Sequence, residues 1–130
     1  MKVGFFCGAF DLIHAGHITS LKECKENCDY LIVGLQTNPN KDRKNKSQPV
    51  QTMAERMIVL KAIKYIDEIY TYDTEEDLLN LLKALKIDIR FIGEDWRGKP
   101  FTGYDIDYEL HYCRRKHNWS STELKERIRE

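Results

Sequence analysis

Short apolar runs alternate with amphipathic stretches along the chain, and this alternation restricts the fold more than any other feature. Lys2 to Cys7 (KVGFFC), Tyr30 to Leu35 (YLIVGL), Glu68 to Tyr72, Asp88 to Ile92 (DIRFI) and Tyr108 to Cys113 read as strands. Runs that are apolar at nearly every position suit strands buried on both faces. The stretches between them have helical spacing. From Ala15 to about Asn27 the apolar positions are Ile18, Leu21 and Cys24, and the same helix is expected to carry Cys28. From Met53 to Ile63, the side chains of Met57, Leu60 and Ile63 share one side. Thr74 precedes Glu75, Glu76 and Asp77, whose carboxylates suit the positive end of a helix that continues through Leu78, Leu82 and Leu85. Ser120, with Glu123 three residues on, has capping-box spacing and opens a last helix. Thr37 to Val50 and residues 93–107 are loops. Strands alternating with helices imply an α/β fold: a doubly wound, parallel, five-stranded sheet with helices on both faces. At 130 residues the chain is expected to form a single domain, residues 1–130. That length buries roughly two-thirds of the unfolded surface without help from a metal or disulfide.

Charge narrows the classes of partner. Lys+Arg and Asp+Glu both total 21, so the formal net charge is zero, whereas a non-specific nucleic-acid binder needs a basic excess. The basic residues cluster instead, with Lys41, Arg43, Lys44 and Lys46 in one loop and Arg114, Arg115 and Lys116 in a row. Two small basic patches on a neutral chain suit a compact polyanion such as a triphosphate, or else are two solvated loops. No apolar run approaches the ~20 residues of a membrane helix, so no membrane partner is expected. Only eight uncharged residues separate Met1-Lys2 from Asp11, whereas a signal peptide needs a longer apolar stretch and a small-residue cleavage site, and a cytoplasmic location is expected. The four cysteines form no Cys-x-x-Cys pair, which favours reduced thiols over a zinc ribbon.

Parallel sheets of this kind bind ligands beyond the C-terminal ends of their strands. The loops at that end begin near Gly8, Thr37, Tyr72, Gly93 and Arg114. In the first of them the strand runs into Gly8-Ala9-Phe10-Asp11-Leu12-Ile13-His14-Ala15-Gly16-His17. This is neither the dinucleotide fingerprint nor a P-loop, yet it has the same layout of strand, glycine turn and helix start. The N–H groups and dipole of such a helix start attract phosphate. Gly16 has no Cβ, so a ligand can approach the backbone closely. His14 and His17 lie about one helical turn apart and are expected to face one pocket. No third His, Asp or Glu stands at a metal-ligand spacing, so no metal held by protein side chains is expected.

His-x-Gly-His after a Gly-x-Phe-Asp turn resembles the nucleotidyltransferase superfamily, and within it the cytidylyltransferase branch. The likeness continues in order along the chain. Tyr30 to Leu35 with Thr37 resembles the second strand, Lys44-Asn45-Lys46 the Lys-x-Lys loop, and Arg56 with Met57 to Leu60 the central helix. Ile92-Gly93-Glu94-Asp95-Trp96 is similar to the Gly-Asp-Asp-Trp segment of glycerol-3-phosphate cytidylyltransferases. Arg115 to Thr122 resembles that branch's closing Arg-Thr-Glu-Gly-Ile-Ser-Thr-Thr.

The resemblance implies a Rossmann-like fold and transfer of CMP from CTP to a small phosphorylated acceptor, with release of pyrophosphate. The acceptor it implies is glycerol 3-phosphate or a related phospho-alcohol or phospho-amine, in the synthesis of a cell-surface polymer. It also implies a homodimer and Mg²⁺, or another divalent ion, carried mainly by the triphosphate. In this reading His14, His17, Lys44 and Lys46 are catalytic. Gly8, Ala9, Phe10, Gly16 and Thr37 bind the nucleotide with Asp95, Arg115, Ser120, Ser121 and Thr122, and Asp11, Lys64 and Trp96 meet the acceptor. The attacking phosphate monoester is already largely a dianion at pH 7. No general base is then needed, and catalysis reduces to positioning and charge stabilisation. Asp95 can accept from the amino group of cytosine, but adenine offers an amino group too.

Some residues depart from the branch. Lys64 stands where glycerol-3-phosphate enzymes carry an arginine, and lysine lacks the bidentate fork. Ala15 replaces a tryptophan, and His-Ala-Gly-His with Gln48-Pro49-Val50 resembles the heptose-phosphate adenylyltransferases. Lys116 to Trp119 departs from Thr-Glu-Gly-Ile, and Lys99 to Tyr104 maps onto no segment of the resembling enzymes. An adenylyltransferase acting on a sugar phosphate and a non-catalytic nucleotide-binding module are therefore the competing readings.

Overall fold

The computed structural model describes residues 1–39, 48–114 and 119–129. Its elements follow the order β1 (Val3–Gly8), α1 (Ala15–Glu26), β2 (Tyr30–Gln36), α2 (Met53–Lys61), β3 (Glu68–Tyr72), α3 (Glu75–Ala84), β4 (Ile89–Gly93), β5 (Glu109–Cys113) and α4 (Ser121–Arg129). The five strands form one sheet in the order β3-β2-β1-β4-β5, parallel at every pairing. The chain winds outward from β1 to β3 and then returns to β4 on the other side. The expected doubly wound α/β fold is thus present, and its switch point lies between β1 and β4, where such sheets open a cleft.

Strand alternation sorts the core into two layers. Leu31, Val33 and Leu35 of β2 face α1 and α2, where they pack with Leu21, Cys24, Leu60 and Phe91. Ile32 of β2 faces the other way, with Phe5, Tyr72 and the α3 residues Leu78 and Leu82. Thr52 with Glu55 and Thr74 with Asp77 form capping boxes that start α2 and α3. The first helix is shorter than its sequence suggests. It ends at Glu26 with Asn27 as C-cap, so Cys28 lies beyond it. The loop after β4 contains one 3-10 turn, Glu94–Trp96. All four thiols are free, and those of Cys24 and Cys113 are buried 3.7 Å apart. Among the described residues no helix is long and apolar enough to cross a membrane.

One of the largest fully buried side chains is charged. Arg56 of α2 is 2% exposed. Its Nη1 donates to the carbonyls of Ala9 at 2.9 Å and Gln36 at 2.7 Å, and its Nη2 to that of Thr37 at 2.6 Å. Its Nε donates to the Gln51 carbonyl at 3.2 Å. The guanidinium thereby closes the C-terminal ends of β1 and β2 onto the start of α2. Burial lowers its pKa, and the nearby Asp11 charge opposes that shift. Replacing it strands several buried carbonyls, each costing about 1–3 kcal/mol. Arg56→Met is expected to lower stability by about 3 kcal/mol or more, read from the urea midpoint at constant m-value. Arg56→Lys restores only part of the loss, because one ammonium cannot span the carbonyls of both strands. A loss under about 1 kcal/mol in Arg56→Met contradicts this account.

Candidate active site

Two cavities meet over the C-terminal end of β1, and Phe6, Cys7, Gly8, Ala9 and Gly93 border both. The smaller, about 340 Å³, lies on the α1 side and is lined by Gly16, His14, His17, Asp95, Ser120 and Ser121. The larger, about 620 Å³, lies on the α3 side and is lined by Gln36, Tyr72, Glu75, Arg90, Trp96 and Phe101.

His14 and His17 start α1 through a reciprocal cap. The Nδ1 of His14, the N-cap residue, accepts from the Gly16 N–H at 2.9 Å, and the Nδ1 of His17 accepts from the His14 N–H at 3.2 Å. Their ring centroids are 4.1 Å apart. A neutral imidazole that accepts at Nδ1 carries its proton on Nε2. In the neutral form the cap therefore sets the same tautomer in both rings, with the proton on Nε2. Burial and the adjoining His14 lower the pKa of His17 from 6.5 to about 4, with the Asp11 charge opposing. His17 is consequently a neutral donor at pH 7.

The turn before this cap is strained and braced. Phe10 and Leu12 have φ of 50° and 51°, a region that costs non-glycine residues energy. Phe10 is buried with its ring 6.0 Å from that of His17. Asp11 accepts from the N–H groups of Val50 and Gln51 at 2.7 and 2.9 Å, and Leu12 donates to Gln51 Oε1 at 2.9 Å. The Ser121 hydroxyl reaches the Asp11 carbonyl at 3.3 Å, which ties α4 to the same turn. Ser120 accepts from the Glu123 N–H at 3.1 Å and so caps α4.

The chain matches the cytidylyltransferase-like family over residues 5–127. It belongs to that family. Two similar proteins are each named bifunctional protein HldE. One, from Campylobacter concisus (strain 13826), is 33% identical over 130 residues, covering 99% of this chain and 27% of the relative. The other, from Caulobacter sp. (strain K31), is 38% identical over 107 residues, covering 82% of this chain and 22% of the relative. The chain thus spans about a quarter of the length of these relatives. Among solved structures, the lipopolysaccharide core biosynthesis protein from Thermoplasma volcanium GSS1 has a TM-score of 0.65 at 24% identity, over 99% of this chain and 87% of that one. The pantoate-beta-alanine ligase from Francisella tularensis has a TM-score of 0.57 at 18% identity, over 95% of this chain and 67% of that one. At these identities the structures share the fold.

The cytidylyltransferase-like fold brings most of the expected site residues together. Gly8 and Ala9 lie at the junction of the cavities, and Phe10 lines the smaller one. Asp95 and Trp96, adjacent in the 3-10 turn, divide between the smaller and the larger cavity. Thr37 sits at the end of β2, where its hydroxyl bonds Asp73 and its N–H the Tyr72 carbonyl at 2.9 Å, and it lines neither cavity. Thr122, one residue into α4, lines neither. Asp11 directs its carboxylate to the backbone of residues 50 and 51. Lys64 stands exposed on the loop entering β3, its ammonium over the Tyr65 ring, at the opposite end of the sheet from the cleft. Lys44, Lys46 and Arg115 lie outside the described residues. The Gly16 N–H is taken by His14 rather than open to a phosphate.

Sequence reasoning missed Ser20 and Trp119 in the smaller cavity, and Gln36, Tyr72, Glu75, Arg90 and Phe101 in the larger. Helical spacing from His17 was a signal for Ser20, and an arginine inside an apolar strand was one for Arg90. On the α1–β5 side, Glu23, His111 and Cys113 bring ligand-type atoms within 4.8 Å of one another. Their separation in sequence hid this cluster, in which His111 Nε2 meets Glu23 at 2.6 Å.

The lowered pKa of His17 has a thermodynamic consequence. Between pH 6.5 and about 4 the unfolded chain binds this proton and the folded chain does not, so the stability present above pH 6.5 is lost as pH falls through that window. The urea midpoint is expected to fall across it, and the slope to flatten in His17→Gln. Identical slopes in the two proteins contradict a neutral, buried His17.

Proposed function

We propose that the chain transfers an adenylyl group from ATP to a phosphorylated sugar, releasing pyrophosphate. The observation that carries the transfer is the reciprocal histidine cap lining the smaller cavity. An oxygen of the acceptor phosphate attacks the α-phosphorus, the bond from the α-phosphorus to the bridging oxygen breaks, and pyrophosphate leaves with that oxygen. The reacting groups are anionic, so the barrier is dominated by charge. Neutral His17 donates from Nε2 to phosphate oxygens with His14 beside it, and the N-terminus of α1 adds its dipole. Ser120 and Ser121 line the same cavity.

Mg²⁺ fits this cleft as an ion carried by the triphosphate. The carboxylate whose charge reaches His17, that of Asp11, is engaged with two backbone N–H groups. An ion held by phosphate oxygens and water would make no demand for a carboxylate cage and would supply charge neutralisation. Lys44 and Lys46, outside the described residues, are assigned to the same phosphates by the family resemblance.

ATP and a sugar phosphate are favoured over CTP and glycerol 3-phosphate. Similarity to the HldE proteins covers 99% of the chain in the Campylobacter relative. His-Ala-Gly-His and Gln48-Pro49-Val50 carry the likeness to heptose-phosphate adenylyltransferases. CTP with a phospho-alcohol is the second reading, favoured by the Glu94-Asp95-Trp96 segment.

Pyrophosphate release with Mg²⁺, run with ATP and CTP against sugar 1-phosphates, glycerol 3-phosphate and phospho-amines, separates these readings. The expected result is release with ATP and a sugar phosphate at a kcat/KM at least about tenfold above that with CTP. His17→Ala is expected to lower kcat by about 10²–10³. Release with CTP and glycerol 3-phosphate instead establishes the second reading. Nucleotide binding with no release for any acceptor contradicts both and leaves a binding module.

A further inference from the structure

The larger cavity is built around a charge that the transfer step does not use. Arg90 lies within β4, opposite Phe5 of β1, in a strand whose other core side chains are Ile89, Phe91 and Ile92. It is 3% exposed. Its guanidinium lies 5.8 Å from the Phe5 ring centroid and 5.5 Å from that of Phe101. Its Nη1 donates to the Thr102 carbonyl at 2.8 Å and to the Tyr108 hydroxyl at 3.0 Å, and its Nη2 reaches Cys7 Sγ at 3.7 Å. None of these partners is a carboxylate. Among the described residues no carboxylate pairs with Arg90, and its Nε–H has no acceptor. Gln36, 5% exposed, ends β2 on the same face of the sheet, and its Nε2 also has no partner among the described residues. A buried cation without a counter-charge and a buried amide without an acceptor are both unfavourable in a finished core. Both side chains line one cavity, so a ligand seated there would meet both donors.

Arg90 also explains the segment from Lys99 to Tyr104, which maps onto no segment of the resembling enzymes. The guanidinium lies over the Phe101 ring, Thr102 accepts from it, and the Tyr108 hydroxyl donates to the Gly103 carbonyl at 2.5 Å. Gly103 has φ of 83°, and a Cβ there would lie 2.7 Å from Leu82 Cδ1 and 2.8 Å from the Tyr108 oxygen. The segment is thus pressed against α3 and, with Trp96, walls the cavity with aromatic rings.

Resting on the transfer reading above, we infer that this cavity seats the body of the acceptor, that this body is hydroxylated and carries no cationic group, and that Arg90 and Gln36 donate to its oxygens. The acceptor phosphate then lies at the shared rim of Gly8 and Ala9, beside the histidine pair. Glu75 lines the same cavity, so the polar set includes an acceptor beside two donors. A hydroxyl, which donates and accepts, satisfies that mixture, and the aromatic walls take the C–H faces of a sugar ring. An ammonium or trimethylammonium group offers no acceptor to Arg90 Nε or Gln36 Nε2 and would leave both donors unsatisfied, so it is disfavoured there.

The test is calorimetric titration of the full chain with a hexose 1-phosphate, phosphoethanolamine and phosphocholine, in wild type, Gln36→Leu and Arg90→Met. Wild type is expected to bind the hexose 1-phosphate at least about tenfold more tightly than either phospho-amine. Gln36→Leu, which leaves the Arg90 contacts to Thr102 and Tyr108 in place, is expected to weaken that binding about tenfold without changing ATP affinity. Arg90→Met is expected to erase the discrimination between hexose 1-phosphate and phosphoethanolamine. Equal or tighter binding of a phospho-amine to wild type, hexose 1-phosphate affinity unchanged in Gln36→Leu, or binding of none of the three overturns the inference. Because the titration requires no turnover, hexose 1-phosphate binding through Gln36 in a chain that releases no pyrophosphate would sink the transfer reading alone. Pyrophosphate release with phosphoethanolamine unaffected by Arg90→Met would sink the acceptor assignment alone.

Discussion

The cleft depends on a single buried guanidinium. Arg56 gathers the carbonyls of Ala9, Gln36 and Thr37, which belong to the ends of two neighbouring strands and the turns after them. Parallel strands leave such carbonyls without ladder partners where the sheet stops, and a buried carbonyl must find a donor. Arginine meets the need because its fork reaches several acceptors at once. The consequence is mechanical. The turn from Ala9 to Ile13 leaves a fixed strand end, and Asp11 and Leu12 pin it to Val50 and Gln51. Against that scaffold two non-glycine residues hold left-handed backbone, which aims the next residues at the cleft.

Those next residues both cap a helix and line the cleft. A helix start needs side-chain acceptors for its first N–H groups, and Ser, Thr, Asp or Asn supply them elsewhere. Here two histidines do it reciprocally through Nδ1. The cap makes the ring orientation and tautomer consequences of helix initiation rather than of a separate set of supporting contacts. Burial then keeps His17 neutral at pH 7, so its ring is an uncharged hydrogen-bond donor. The same economy appears at α4, where Ser120 caps the helix and lines the cavity.

The strands and helices were legible because their signals are local. The run Tyr30 to Leu35 is buried along nearly its whole length, and the acidic start of α3 sits on a Thr74 cap. His14 and His17 were legible for the same reason, being one turn apart at a glycine-rich strand end. The body of the larger cavity was not, because Gln36, Tyr72, Glu75, Arg90 and Phe101 come from β2, β3, α3, β4 and a loop, and only the sheet order brings them together. Asp11 shows a second limit. Its place in the motif suggests a ligand contact, whereas its carboxylate braces a loop far away in sequence. Lys64 shows a third, since a match within a family's helix-to-strand segment does not fix which end of the sheet the side chain serves.

The central claim is that the chain breaks its nucleotide between the α- and β-phosphates by attack of an acceptor phosphate. Phosphorus NMR of ATP, Mg²⁺ and a sugar 1-phosphate labelled with ¹⁸O in its phosphate tests this most directly. The account predicts equal growth of pyrophosphate and a sugar-linked diphosphate, with label in the oxygen bridging its two phosphorus atoms. Formation of ADP with orthophosphate, or of a sugar bisphosphate, would place the attack at the γ-phosphorus and contradict it.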